Sequence, residues 1–336
     1  MKKYFLAVAS FFIYSHISLG QVYPGQMDST FVPVRSHHYD PELTFDFCVN
    51  EPAWSNQAGI HSAFGSTDRL YFRKEVPVNH DNDLSSSYST TVWRGERANA
   101  QILVWSSEAL EQVRVSTQDL RSAEGNIIPK DRITFELVRY VLSNYPYAEK
   151  KAICGESPSK SGFLMPDRFE TLDRFDLPSQ TTRPVWMMVD VPRGTVPGTY
   201  KGQVEVRAKG KAPQLLNLEI VVQNQLLPYP KDWKYRLDLW QNPWAVAWYN
   251  HVEPWCPYHK MLLKKHLKHY DDAGGTYITT SGVHSPWSDN SYMIEGGMIE
   301  WIKKADGTWA FDYKIFDEYV ELAMECGIDE AITLYT

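Results

Sequence analysis

Tyr235-Arg236-Leu237-Asp238-Leu239-Trp240, running into Gln241-Asn242-Pro243-Trp244, is the stretch whose reading decides the fold. Its first six residues alternate large and polar side chains, as a half-buried strand does, and Pro243 withdraws a ladder donor and turns the chain into a loop. From Pro257 to Asp272, Leu263, Leu267 and Tyr270 recur at i, i+4 and i+7, with Lys264, Lys265 and Lys268 off that stripe. That spacing predicts an amphipathic helix. Gly274-Gly275 ends it, and the β-branched and aromatic run Thr276-Tyr277-Ile278-Thr279-Thr280 suits a strand. Strand, helix, strand is the opening of a (β/α) barrel.

Downstream, residues 282–301 read as a loop carrying His284 and Trp287, and Ala305-Asp306-Gly307 tightens a small hairpin. Phe311 to Cys326 predicts a second helix, with Phe316, Val320 and Ala323 on one side and Glu318, Glu321 and Glu325 elsewhere. Gly327 ends it, and Ile328 to Tyr335 reads as a third barrel strand. Residues 234–336 therefore predict an incomplete TIM-type barrel, its first three β strands only.

Upstream, Leu226-Leu227-Pro228-Tyr229-Pro230-Lys231-Asp232-Trp233 has two prolines that hold an extended path, so residues 226–233 read as a linker. The region before it alternates at period two, as antiparallel half-buried strands do, in residues 101–105, 113–116 and 133–141. Gly125-Asn126 marks a turn between the last two. Residues 185–191, 199–206 and 214–222 add strands, with a tight turn at Thr195-Val196-Pro197-Gly198. Leu70 to Val78 predicts a short strand and Asn79 to Thr90 a polar connector. Tyr145 to Arg183, with Pro146, Pro158, Pro166 and Pro178, predicts a long irregular excursion. Residues 21–225 are thus read as an N-terminal β-sandwich.

Leu239-Trp240-Gln241-Asn242-Pro243-Trp244-Ala245-Val246-Ala247, Thr279-Thr280 and Asp306-Gly307-Thr308-Trp309-Ala310-Phe311-Asp312-Tyr313 together resemble one known group. They look like secreted bacterial glycoside hydrolase-domain proteins related to family-123 β-N-acetylgalactosaminidases, which join an N-terminal β-sandwich to a (β/α)8 barrel. The resemblance runs from about Tyr88 to the end and is densest after Tyr235. It implies a glycan substrate and a substrate-assisted mechanism, in which an adjacent Asp orients the sugar's own 2-acetamido group and a Glu is the acid. Trp93 to Gln101 also resembles the family's sandwich, where it is structural, so Glu96 is expected to be structural too.

The bulk properties narrow the function classes. Of 336 residues, 43% are hydrophobic and 22% charged, as in an ordinary soluble protein rather than a disordered one. A net charge of −7 argues against a nucleic-acid partner, which needs a basic face. Lys260, Lys264, Lys265 and Lys268 read as the solvated face of a helix. Twelve tryptophans are a heavy load, nine of them from Trp186 onward. Aromatic rings are platforms for the flat C–H faces of sugars and also ordinary core.

Residues 1–20 read as a signal peptide: Lys2-Lys3, an apolar run from Tyr4 to Tyr14 too short to span a bilayer, and Ser18-Leu19-Gly20 before Gln21. No cysteine follows that site, so an exported protein, periplasmic or extracellular, without a lipid anchor is expected. Export permits disulfides, and Cys48, Cys154, Cys256 and Cys326 allow three pairings, with four free thiols as the alternative. His37-His38 near Asp40 reads as a surface loop, since adjacent strand residues face opposite ways and share an ion poorly. No phosphate loop, nucleophile elbow or metal spacing is present, so neither a cofactor nor a metal is expected.

Barrel chemistry sits at the C-terminal ends of the strands. Trp240, Asn242 and Trp244 follow strand one, His284 and Trp287 follow strand two, and Tyr335 ends strand three. These six are the expected substrate-binding residues, the rings as stacking walls and Asn242 or His284 as hydroxyl partners. Each also has a plain packing role open to it. The Asp-Glu dipeptides, Asp317-Glu318 and Asp329-Glu330, fall in an outer helix and at the start of strand three, so both read as structural and the catalytic residues stay unassigned. Asp238 lies inside strand one, but one carboxylate is not a pair. The reading is the N-terminal portion of an exported glycoside hydrolase with its catalytic pair beyond residue 336; the alternative is a non-catalytic carbohydrate-binding or scaffold protein.

Overall fold

The computed structural model describes residues 51–77, 84–143, 163–284, 286 and 296–336. The signal segment, His37-His38 with Asp40, Cys48, Cys154 and Trp287 lie outside the described residues. The chain divides into two compact units, with the boundary between Leu227 and Pro228.

The first unit opens with a short helix, α1 (Glu51–Trp54), has a 3-10 turn at Lys130–Arg132 and is built mainly from strands. In chain order they are β1 (His61–Gly65), β2 (Ser87–Arg94), β3 (Arg97–Ser106), β4 (Leu110–Thr117), β5 (Leu120–Arg121), β6 (Ile127–Ile128) and β7 (Ile133–Ser143). β8 (Phe163–Thr171), β9 (Phe175–Leu177), β10 (Thr181–Asp190), β11 (Gly198–Arg207) and β12 (Gln214–Leu226) complete it. One sheet has the order β1-β3-β10-β7-β8; the second runs β2-β12-β11-β4-β9, with β5 on β11 and β6 on β5. All pairings are antiparallel except β2 with β12.

Period-two patterning explains the packing of these sheets. Ala98, Ala100, Ile102 and Val104 of β3, Val185, Met187 and Val189 of β10, and Leu216, Leu218, Ile220 and Val222 of β12 alternate into one shared buried core. Burying a side chain of that size contributes about 1.5–3 kcal/mol, so the two sheets form a sandwich around that core. Between β2 and β3 the chain reverses at Gly95, whose φ of 83° suits glycine, and the Glu96 carboxylate accepts the Trp93 amide at 2.7 Å. Glu96 here holds a turn.

Two expectations fail in this unit. Residues 70–77 contain turns and no strand: the Glu75 amide donates to the Phe72 carbonyl at 3.2 Å, closing a turn where a strand would run on to a ladder partner. The predicted excursion over 145–183 instead contains β8, β9 and the start of β10. β8 is an edge strand, and its register slips between Arg139 and Tyr140 so that Pro166 faces Tyr140 and Asp167 is the extra residue. An edge with a bulge tolerates the proline that argued against a strand. Because the core is closed by residues before Leu227, the piece Gln21 to Gln225 is expected to fold alone. Its thermal unfolding should be a single cooperative transition, and a non-cooperative melt would refute that independence.

The second unit begins with a single 3-10 turn at Pro230–Asp232, where the sequence predicted an extended path. Trp233 folds back there, its Nε1 donating to the Pro228 carbonyl at 3.0 Å. Next come α2 (Pro243–Tyr249), α3 (Pro257–Asp272), β13 (Tyr277–Ser281), β14 (Glu300–Lys303), β15 (Trp309–Asp312), α4 (Lys314–Glu325) and β16 (Ala331–Tyr335). β13 and β16 are parallel, and β14 and β15 form the hairpin expected around Gly307. Among the described residues there is no closed barrel.

Strand one is the main correction. The segment 235–240 is not a ladder strand; its one backbone pairing is a parallel bridge from Leu237 to Gly275. Side chains do the rest: the Tyr270 hydroxyl donates to the Leu237 carbonyl at 2.7 Å and accepts the Leu239 amide at 3.2 Å. Gln241 Oε1 accepts the Thr279 amide at 2.7 Å, taking the place of a backbone acceptor. The loop expected at 241–244 is likewise the start of α2: Asn242 is its N-cap, accepting the Ala245 amide at 3.1 Å, and Pro243 sits in its first turn.

α3 matches its predicted span, with His259, Leu263 and Leu267 buried. Its lysines do more than face water. Lys260 reaches Glu318 at 2.6 Å and Lys264 reaches Glu325 at 2.8 Å, joining α3 to α4, although exposed pairs of this kind contribute only about 0–1 kcal/mol. Cys256 and Cys326 are free thiols, and the Cys256 sulfur caps α3 by accepting the His259 amide.

Candidate functional site

Parallel pairing fixes which side chains share the C-terminal ends of the strands. Thr279 is opposite Thr333, and Ser281 opposite Tyr335, so these four lie on one face, with Ile278 on the other, in the core against the helices. Asp238 joins the first face by accepting the Thr333 hydroxyl at 3.2 Å. Trp240 then stands edge-on to Tyr335, ring centroids 5.3 Å apart at 73°. Burial, and after it the neighbouring Asp238 carboxylate, push the Tyr335 phenol above its ordinary value, so it is a neutral hydrogen-bond donor at physiological pH. The result is a carboxylate, the hydroxyls of Thr279, Ser281 and Thr333, the Tyr335 phenol and two rings gathered on one face of the sheet.

The expected site residues separate on this geometry. Trp240 is 64% exposed and Tyr335 half-buried, so both have surface to offer. His284 is exposed just beyond β13. Asn242 uses its side-chain oxygen as a helix cap. Trp244 is only 7% exposed, in the core with Leu263, Leu267 and Ile278, and stands edge-on to Trp255 at 5.4 Å. A ring so placed has no free face for a sugar. Glu318 is tied to Lys260, and Glu330 to Arg236 at 2.8 Å, while Asp329-Glu330 precedes β16, at the end away from Tyr335. Gln241, Thr333 and Ser281 belong to the strand-end cluster and were not singled out in the sequence, because nothing in their local pattern marks them.

His259 locks the junction of α2 and α3. It is fully buried; its Nδ1 accepts the Trp255 amide at 2.8 Å, and its Nε2 donates to the Pro243 carbonyl at 2.9 Å. A neutral ring satisfies both bonds, and a protonated one loses the first. Burial is the larger influence and lowers the His259 pKa, against the opposing pull of the Pro243 carbonyl. The folded state thus binds this proton less readily than the unfolded chain, whose histidines titrate near pH 6.5. His259 therefore contributes stability that is fully present above about pH 6.5 and lost as pH falls through its depressed folded value. Denaturation melts from pH 8 to 5 should show that loss, and His259→Gln should flatten it; an unchanged pH slope would contradict the assignment.

Residues 64–208 match the glycoside hydrolase 123 N-terminal domain, and residues 240–336 match the glycoside hydrolase 123 catalytic domain. Between them these matches, to two domains of one family, span most of the chain, which is a glycoside hydrolase 123-related protein. Its fold is similar to that of a family 123 glycoside hydrolase from Clostridium perfringens, whose structural analysis addressed glycolipid glycan hydrolysis; that match has 24% identity and a TM-score of 0.73 and covers 83% of this chain. It covers 48% of the other chain, so the present sequence spans about half the length of that enzyme. A PapD-like domain of human CEP192 aligns at 12% identity over 55% of this chain and 99% of that one, but its TM-score of 0.24 carries no argument. No curated protein matches the chain.

Proposed function

We propose that this chain is the N-terminal portion of an exported glycoside hydrolase acting on N-acetylhexosaminides, with a sandwich followed by the first three strands of a TIM-type barrel. Residues 1–20 are its signal peptide, 21–225 the sandwich domain, 226–233 the linker and 234–336 the opening of the barrel. The observation that carries this reading is the match of residues 240–336 to a catalytic domain. It is supported by the parallel order of Leu237, β13 and β16, with the polar and aromatic side chains at their C-terminal ends. In a barrel those ends form the mouth.

The reaction is substrate-assisted. A Glu protonates the glycosidic oxygen while the carbonyl oxygen of the substrate's 2-acetamido group attacks C1 and the C1–O bond breaks; an Asp holds the amide N–H. Water then opens the oxazoline ring and returns a proton to the Glu. The pair is expected beyond residue 336, a reading supported by the position of Asp317-Glu318 on α4 and of Asp329-Glu330 at the end of β16 away from Tyr335. Trp240 and Tyr335 offer ring faces to the sugar, and Asp238 and His284 accept its hydroxyls. In the protein expressed from its complete reading frame, Trp240→Ala should lower kcat/KM on a chromogenic N-acetylgalactosaminide about tenfold, a loss of about 1.4 kcal/mol of transition-state stabilisation. Glycan binding without turnover on any hexosaminide would instead favour a non-catalytic carbohydrate-binding protein.

A further inference from the structure

The β14–β15 hairpin carries a row of aromatic rings that the strand-end cluster does not use. Trp301 faces Phe311 across the hairpin, and Lys303 faces Trp309, so all four share one side of the ribbon. Trp301 and Trp309 are each about half exposed, and Phe311 and Tyr313 nearly so. Trp301 meets Phe311 at 87° and Trp309 at 77°, and the Lys303 ammonium lies 5.8 Å from the Trp309 ring centre. Rings set edge to face keep faces open instead of sealing them against one another. A contiguous apolar patch of this kind on a soluble domain marks a binding surface.

The hairpin is also continuous with the strand-end cluster. Trp301 Nε1 donates to the Gly282 carbonyl at 2.8 Å, and the Gly282 amide donates to the Tyr335 carbonyl at 2.7 Å. Two hydrogen bonds thus connect the platform to Tyr335, whose ring touches Trp240. Trp301 is fixed by that bond, and Trp309 is exposed to the same extent.

We propose that this hairpin is a second glycan subsite, in which Trp309 and Phe311 stack on a sugar one or more residues removed from the one held by Trp240 and Tyr335. The inference rests on the glycoside hydrolase reading above. Stacking of a pyranose C–H face on an indole supplies affinity without demanding one sugar, so the subsite selects for chain length more than for identity. Lys303 beside Trp309 adds a donor for a hydroxyl or an acidic substituent.

The test is the ratio of affinities for an oligosaccharide ending in N-acetylgalactosamine and for free N-acetylgalactosamine, measured by calorimetry on the protein from the complete reading frame. The wild type should prefer the oligosaccharide, and Trp309→Ala should cut that ratio about tenfold, the upper end of what one aromatic contact supplies. Trp309→Tyr should restore most of it, and Phe311→Ala gives a second variant should Trp309→Ala fail to fold. A ratio unchanged in both variants, with glycan binding intact, overturns the subsite and leaves the hydrolase reading standing. Wild-type protein that binds neither sugar overturns both. Trp309 fluorescence shielded from a collisional quencher without ligand would show that the protein's own chain covers the platform, which also overturns it.

Discussion

Trp244→Ala should destabilise the second unit by about 3–5 kcal/mol, the cost of emptying a large aromatic site from a packed core. Trp244 is edge-on to Trp255, which in turn packs edge-on against His259 and Tyr319. A Cβ added at Gly296 would come within 2.6 Å of the Trp244 indole nitrogen, so the chain has shaped itself around that ring. Trp240, by contrast, is 64% exposed, and Trp240→Ala should shift stability by no more than about 0.5 kcal/mol while weakening glycan binding. Chemical denaturation of the two variants separates core from wall. A Trp244→Ala protein of wild-type stability that has lost glycan binding would reverse the assignment.

Gly275→Ala should cost about 3 kcal/mol, at the high end for overpacking. A Cβ there would approach Tyr270 ring atoms to 2.2–2.4 Å, and that ring has little room to retreat because its hydroxyl is bonded to both Leu237 and Leu239. Moving it would release the segment that carries Asp238 and Trp240, so stability and sugar binding should fall together. Gly282→Ala, where the added atom meets nothing nearer than 3.4 Å, should be milder. If the cause is steric, Gly275→Ala should add little to Tyr270→Ala, whose cavity accepts the methyl group; fully additive costs would point to another origin.

These contacts show where the sequence was legible and where it was not. α3 could be read from three apolar residues at helical spacing, and β13 from β-branched residues after Gly274-Gly275, because local pattern and tertiary burial agree there. Six strands of the sandwich, β3, β4, β7, β10, β11 and β12, were legible for the same reason. Tyr235 to Trp240 alternates like a strand but is held by the Tyr270 hydroxyl and the Gln241 side chain, bonds between residues dozens of positions apart that no local pattern encodes. Asn242-Pro243 was misread although its signal was present: a capping side chain followed by proline opens a helix as readily as it ends a strand. β8 was hidden by Pro166, which only an edge position and a bulge make compatible with pairing. At the site, exposure was the missing quantity. Trp240 and Trp244 look alike in sequence, and burial alone tells the candidate platform from the core ring.

β16 bears on the central claim through its pattern of exposure. Ile332 and Leu334, about half exposed, alternate with Thr333 and Tyr335, so the strand has an apolar face suited to further cover. The most direct measurement sets the 336-residue protein, after removal of residues 1–20, beside the protein from the complete reading frame, each assayed on chromogenic N-acetylgalactosaminide and N-acetylglucosaminide. The account predicts turnover by the longer protein alone. Turnover by the 336-residue protein, abolished by Asp238→Asn, would contradict it and make Asp238 the catalytic carboxylate.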